Sequence, residues 1–548
     1  MRRQWEAREV GQILRMKVML VGPDDIGERY WEMPSGVRVK TADALPILRA
    51  WVAALDTERT VDLIAALSAW RHTGPDRVRQ ELERAGSHDQ ALFREYQMAF
   101  VLKTLLTDTA RPPWAGRRIT ETDLAKMCLM VVHSRCDADV RFESGWAFLQ
   151  RMAYQQFWEQ EDYTSWPRGI LIHREMNQRL PEHDRFDINK RFLELHGVDL
   201  DSFLFLSFAL FALTTQQPGR VFDVAQFVES PDFAISEQQA VTFFDLIGIT
   251  FEEYRRRAQD PATTERGYEL YDLNPLVFWP ALKRPSGGHI VPVPRFLLDR
   301  ATTGIYFDFF QRLDDDEAGR FGNFWGGAFQ AYVGELMRGT PNSPQPEEGG
   351  MAVPGPGRAC DWVVRDRDAI LLIECKTRGL SAKSRITGEE TYLRRDVARA
   401  DKGDPRGSSL AGAVVQLMKS RDQLAATGRP RFVCLVVTLD KMYFANNREW
   451  LHRFIREEAE RKYGGPLPED FEVTDVAGLE RLCRFVAATG ASAADVLGEK
   501  MGNPEVANLD LMRYVTDLAA GNLPPHPVLD RAADVSLREL VNEFRRTH

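Results

Sequence analysis

Residues 359–377 read ACDWVVRDRDAILLIECKT, and their pattern decides the fold class. Residues 361–364 have strand character, 365–368 form a polar turn, and 369–373 are an unbroken apolar run ending in Glu374-Cys375-Lys376. An apolar run without alternation is what a strand covered on both faces requires, so 369–376 reads as a central strand. Charged groups at the end of such a strand are costly unless they are paired, ligate a metal or open onto a cleft. Glu374 and Lys376 are two apart and share a face. With an even loop that sets Val364 opposite Ala369, Asp361 faces Leu372 and becomes the diagonal neighbour of Glu374, about 7–8 Å away. Asp361, Glu374 and Lys376 then project to one side. Two carboxylates held that close without a cation repel each other. That repulsion predicts a more stable metal-free protein on Glu374→Gln.

The flanks extend this strand pair into a layered unit. Residues 322–338 carry Phe329, Tyr332, Val333 and Leu336 on one helical face. Residues 340–357 are rich in Pro and Gly and read as a connector with a short edge strand near 351–353. Downstream, 408–426 reads as a helix and 431–440 (RFVCLVVTLD) as a further buried strand. Upstream, 276–279 and 289–293 look like short strands joined by the turn Pro285-Ser286-Gly287-Gly288. Asp314, Asp315, Asp316 and Glu317 read as a solvated acidic loop rather than a metal site.

Residues 1–275 are mostly helical in texture, with no fixed-period repeat. The uncharged run 202–214 (SFLFLSFALFALT) has 13 residues, where a membrane span needs about 20. It reads as a buried helix capped by Asp199 or Asp201. Phe157, Trp158, Tyr163 and Trp166 read as core rather than as a base-stacking platform. The tail from 449 reads as helical, with 535–546 amphipathic. The domain reading is therefore 1–275, 276–470 and 471–548.

Composition narrows the function classes. The 548 residues are 44% hydrophobic and 28% charged, which excludes wholesale disorder and fibrous repeats. Net charge is −9, which excludes a uniformly basic nucleic-acid coat but leaves room for a local basic cleft. One such segment is 376–406, with nine basic and five acidic residues. The six cysteines form no CxxC pair and no zinc spacing, as expected of free thiols in a reducing cytoplasm. No export or membrane segment is expected. His133, His173 and His289 lack partners at ligand spacing and read as structural. A Walker A loop and a dinucleotide fingerprint are both absent from the sequence.

Asp361…Glu374-Cys375-Lys376 resembles the signature of the PD-(D/E)XK, or restriction-endonuclease-like, nuclease superfamily. The order of helix 322–338, strands 361–364 and 369–376, helix 408–426 and strand 431–440 is similar to that family's core. The likeness covers residues 321–440 and says nothing of 1–275. It implies an α/β nuclease core, a mixed central sheet flanked by helices, beside a large, mostly helical N-terminal region. It also implies that Asp361 and Glu374 are Mg²⁺ ligands, with Mn²⁺ able to substitute. The Cys375 carbonyl would be a further ligand, and Lys376 would orient or activate the attacking water. Glu335, or Gln330 one turn earlier, corresponds to an acidic residue of the first helix, and Gln416 to a Gln of the second. The sequence departs from the pattern at Cys360, where Pro is usual, and at Ser420, where Tyr often follows the Gln.

The expectation is a Mg²⁺-dependent phosphodiesterase acting on nucleic acid, DNA rather than RNA, endo- or exonucleolytic. Analogy with the superfamily suggests defence against foreign DNA in a bacterial cytoplasm. Protein partners and self-association stay open. Two other readings stand beside it: a nucleic-acid-binding protein with an inactive nuclease core, and a helical interaction protein.

Overall fold

A computed structural model describes residues 30–536 except 33–37, 41–43, 74–93, 109–111, 113, 135, 137–144, 157–164, 229–234, 311, 355–358, 378, 399–408, 427–429, 444–447 and 520–522. Phe157, Trp158, Tyr163 and the amphipathic stretch beyond 536 lie outside the described residues.

The chain is mixed α/β with a predominance of helix. Strands β1 (Tyr30–Glu32) and β2 (Arg38–Lys40) form an antiparallel pair. Strands β3 (Gly248–Thr250), β4 (Ala281–Lys283) and β5 (His289–Ile290) form a small mixed sheet. The central sheet holds β6 (Glu347–Glu348), β7 (Trp362–Asp366), β8 (Ala369–Lys376), β9 (Arg431–Thr438) and β10 (Phe471–Asp475). Its order is β10-β9-β8-β7-β6. The β6–β7–β8 half is antiparallel, and the β8–β9–β10 half is parallel. Every residue of β8 is buried, as its unbroken apolar run requires.

Four helices frame the argument. Helix α1 (Leu200–Gln216) is the apolar run, and Asp199 settles its cap by accepting from the Ser202 N–H at 2.8 Å. Helix α2 (Asp315–Arg338) starts about two turns earlier than the sequence reading of 322–338. Asp314 accepts from the Glu317 N–H, so the acidic run is a helix start, where negative charge meets the positive end of the helix dipole. Helix α3 (Leu410–Ala425) is capped by Ser409 and crosses from β8 to β9. Helix α4 (Val476–Thr489) follows β10.

Strand alternation separates two cores. Trp362, Val364, Leu371, Ile373, Val433 and Leu435 pack with α2, α4 and the α1 face of the N-terminal region. Val363, Ile370, Leu372, Cys434 and Val436 pack with α3 and the helix Arg448–Tyr463. A further core joins helices Ala44–Val52, Thr57–Thr73, Glu95–Asp108 and Glu121–His133 to the β3–β5 sheet.

Several expectations change here. Residues 276–279 are not a strand: Pro275–Val277 is a 3₁₀ turn, capped by Asn274 and led by a proline that cannot donate to a ladder. The strand lies just after it, and the Gly287-Gly288 turn to β5 falls where expected, both glycines at positive φ. The edge strand of the connector is Glu347–Glu348, and Met351 sits in the one-turn helix Gly349–Ala352. The tail read as helical contains β10, which completes the central sheet, so a cut at 470 does not follow the sheet. Among the described residues no single helix is long and apolar enough to cross a membrane. The segments Glu182–His196 and Leu200–Gln216 reach that length only together, across a 75° bend.

Candidate active site at the ends of β7 and β8

The hairpin that carries the site closes more tightly than a four-residue turn. Asp366 pairs with Ala369 and Val364 with Leu371, so only Arg367 and Asp368 lie in the loop. Arg367 takes a left-handed φ of 54°, as a two-residue hairpin turn demands. The register with Val364 opposite Ala369 is therefore displaced by two residues. The loop is still even, and the faces of the paired residues are unchanged.

The ladder ends at Trp362–Ile373, and Asp361 stands one residue beyond it. Its N–H bonds the Ile373 carbonyl at 3.1 Å. Its half-buried carboxylate accepts the Cys375 N–H at 2.7 Å through Oδ2 and also meets the Cys375 thiol. Asp361 thus reaches the backbone between Glu374 and Lys376 rather than standing on their diagonal. In extended backbone a residue's N–H and C=O leave the same edge of the strand. The Cys375 carbonyl therefore faces the Asp361 side.

Glu374 and Lys376 lie on the α3 face of β8. Glu374 is fully buried and Lys376 is 7% exposed. The Lys376 ammonium ion-pairs with Glu374 Oε1. Burial and the two neighbouring carboxylates push the Cys375 thiol well above its usual range. Burial likewise pushes Cys360 up to about 12. Raised in this way, both thiols favour the protonated form and are poor nucleophiles.

Helix α3 holds the entry to this corner. The Gln416 side-chain amide donates to the Ala359 carbonyl. One turn on, the Ser420 hydroxyl accepts the Cys360 N–H at 2.8 Å and donates to the Gln416 carbonyl at 2.9 Å. The two residues immediately before Asp361 are thereby pinned. Ser420 was legible only as a departure from the family pattern; its contact with Cys360 carries no local sequence signal.

Glu335 is not brought to this corner. Its helix covers the other face of the sheet, and its carboxylate is held by Arg179 and Arg531. Burial works to raise its pKa, and those two guanidinium groups hold it below the usual value. The backbone carbonyl of Gln330 accepts from the Trp362 indole at 3.0 Å, which ties α2 to β7.

The segment 376–406 is also less open than its charge suggests. It contains the helices Ala382–Thr387 and Glu390–Val397. Lys383, Arg385, Arg394 and Arg395 pair with Glu265, Asp440, Glu390 and Asp396 respectively. Asp396 is fully buried and accepts from the Ser381 N–H at 2.7 Å and from the Ser384 hydroxyl. Arg378, Arg399, Lys402 and Arg406 lie outside the described residues.

The oxygen donors in the corner are the Asp361 and Glu374 carboxylates and the Cys375 carbonyl. Among the described residues no three or more His, Cys, Asp and Glu side chains gather as a metal cage. Two carboxylates fit a hard cation such as Mg²⁺, which keeps several waters and takes one or two carboxylates plus substrate phosphate oxygens. Two of the histidines singled out in the sequence are buried against aromatic rings: His289 stacks on Phe244 at 4.6 Å, and His173 lies against Trp325 at 5.2 Å. The His133 side chain lies outside the described residues. No family model, no curated protein and no solved structure matches this chain.

Proposed function

We propose that the corner formed by Asp361, Glu374, Lys376 and Gln416 hydrolyses phosphodiester bonds of nucleic acid, DNA rather than RNA, with Mg²⁺ or Mn²⁺ as cofactor. The observation that carries this reading is the meeting of the Asp361 carboxylate with the backbone of Glu374-Cys375-Lys376 at the end of a buried strand. The succession α2, β6, β7, β8, α3, β9 supports it, because that is the element order the resemblance implies. The finer assignment of the central sheet as a nuclease core belongs to the same proposal.

Asp361, Glu374 and the Cys375 carbonyl would hold the cation. When bound, it supplies a Lewis acid that offsets charge on the phosphodiester oxygens. Gln416 and Ser420 act by position: they fix residues 359–360 and so aim the Asp361 carboxylate. With Glu374 committed to a cation, the Lys376 ammonium that now pairs with it would be free to face the phosphoryl oxygen that gains charge. Water adds to phosphorus and gives up its proton to solvent. The ester P–O bond breaks, and the leaving oxygen takes a proton.

The closed Glu374–Lys376 pair is the observation that favours a second reading, in which the pair is structural and the sheet binds nucleic acid without cutting it. The deciding experiment is cleavage of single- and double-stranded DNA and RNA in Mg²⁺, with Glu374→Ala and Asp361→Ala beside the wild type. Cleavage lost in both variants supports the proposal. Cleavage retained in both moves the site elsewhere, and binding without cleavage by the wild type supports the second reading.

A further inference from the structure

A cavity of about 280 Å³ lies between the N-terminal helices, the loop around Asp272 and the end of β9. It stands next to the corner described above. Leu439 and Asp440 line it, and the Leu439 N–H bonds the Lys376 carbonyl at 2.9 Å. The size is just below the usual range of small-molecule sites, about 300 to 1,000 Å³.

The chemistry of its wall is specific. Three cations on the wall are already matched, Lys103 with Asp272 at 3.5 Å, Arg168 with Glu480 at 3.4 Å, and Arg385 with Asp440, and Lys441 lines it as well. A phosphate or carboxylate that drew on Lys103 or Arg168 would have to break a buried pair, which is costly. Aromatic rings supply much of the rest, including Trp325, Tyr271 and the edge-on pair Tyr154 and Tyr443. Two buried groups on the wall make no well-aligned hydrogen bond with a described residue: the Ser165 hydroxyl and, apart from a loose contact with the Thr302 backbone, the His173 ring. His173 is 2% exposed and lies beside the Thr302 backbone. It sits in a π-helical turn, Leu171–Met176, a local rewinding that recurs at functional sites. Burial holds its pKa down to about 4, so at neutral pH it offers one donor and one acceptor.

We propose that this cavity binds a nucleobase: an uncharged, planar ring stacked among the aromatic side chains, with its polar edge on His173 and Ser165. Flat rings with donors and acceptors on the edge satisfy both features at once. The choice of a nucleobase among such rings rests on the nuclease reading. Two sources carry the same chemistry, a free nucleoside and a base extruded from the nucleic acid bound at the corner.

The test measures binding of adenosine, guanosine, cytidine and uridine to the full chain by calorimetry, and fluorescence of 2-aminopurine within single- and double-stranded DNA. Saturable submillimolar binding of at least one nucleoside is expected, weakened about tenfold by His173→Phe. Ser165→Ala is expected to weaken it several-fold, and it carries the test if His173→Phe does not fold. A 2-aminopurine signal that requires His173 or Ser165, without nucleoside binding, supports the extruded base instead. No binding in either arm, or binding indifferent to both substitutions, overturns the proposal. Glu374→Ala separates the two readings, because nucleoside binding survives it even where cleavage is lost. Nucleoside binding by a wild type that cuts nothing would sink the nuclease reading alone.

Discussion

Glu374 is fully buried with the Lys376 ammonium against it, so removing one charge strands the other. Glu374→Gln is therefore expected to destabilise the metal-free protein by about 3–5 kcal/mol, read from urea denaturation. This reverses the sign that carboxylate repulsion alone predicts, and a midpoint at or above that of the wild type would refute the pairing. Ser420→Ala leaves the buried Cys360 N–H without its acceptor, which costs about 1–3 kcal/mol in the same measurement. A conservative Ser420→Thr that keeps the hydroxyl should recover most of that loss. Asp361, Glu374 and Lys376 were legible in the sequence because charges ending an apolar strand need a reason. Ser420 was not, because its partner lies 60 residues away and is a backbone amide. Glu335 stood in the helix that the resemblance puts first, but the periodicity of α2 does not say which face of the sheet that helix covers.

At the scale of elements, α2 and β7 interlock through one ring and one missing side chain. A Cβ on Gly334 would stand 2.2 Å from the Trp362 ring, so the helix can lie this close only with glycine there. Gly334→Ala is expected to cost about 1–3 kcal/mol by overpacking. Pairing it with Trp362→Phe should return part of the loss, and a neutral Gly334→Ala in thermal melts would contradict the packing. Long apolar runs announced β8 and β9, and the helices on either side of them followed from 3.6-residue periodicity. The two outermost strands did not announce themselves. β6 is a two-residue exposed edge, Glu347–Glu348, with neither hydrophobic content nor length. β10 (FEVTD) hides between helical stretches, and its Glu472 is acceptable inside the sheet only because Lys500 meets it at 2.9 Å, both side chains fully buried.

Over the whole molecule, burial of several imidazoles sets the response to acid. Burial lowers His173 and His526 to about 4 and His196 to about 3, from 6.5. The unfolded chain therefore takes up protons below pH 6.5 that the folded chain refuses until near pH 4. The stability that these neutral rings contribute is complete above pH 6.5 and is lost as pH drops toward 4. Melting temperatures recorded across that window should decline steadily, with a shallower decline in His526→Gln. A profile flat between pH 7 and 4.5 would mean that these rings are hydrated. The domain reading drawn from texture at residue 275 has no counterpart in the cores, since α1 packs in the same cluster as Trp362 and Leu371. Texture records helix and strand, whereas a core is shared by whatever packs together. The mixed sheet also fixes an order of assembly. The β7–β8 hairpin needs only a two-residue turn, while β9 must travel beyond the crossover helix before it can lie parallel to β8. Contacts near in sequence form quickly, and distant parallel pairings form late. The two carboxylates would thus be in place early in folding, but the Gln416 and Ser420 clamp arrives only with the crossover. A newly made chain would pass through a stage that has its acidic corner and lacks the means to aim it.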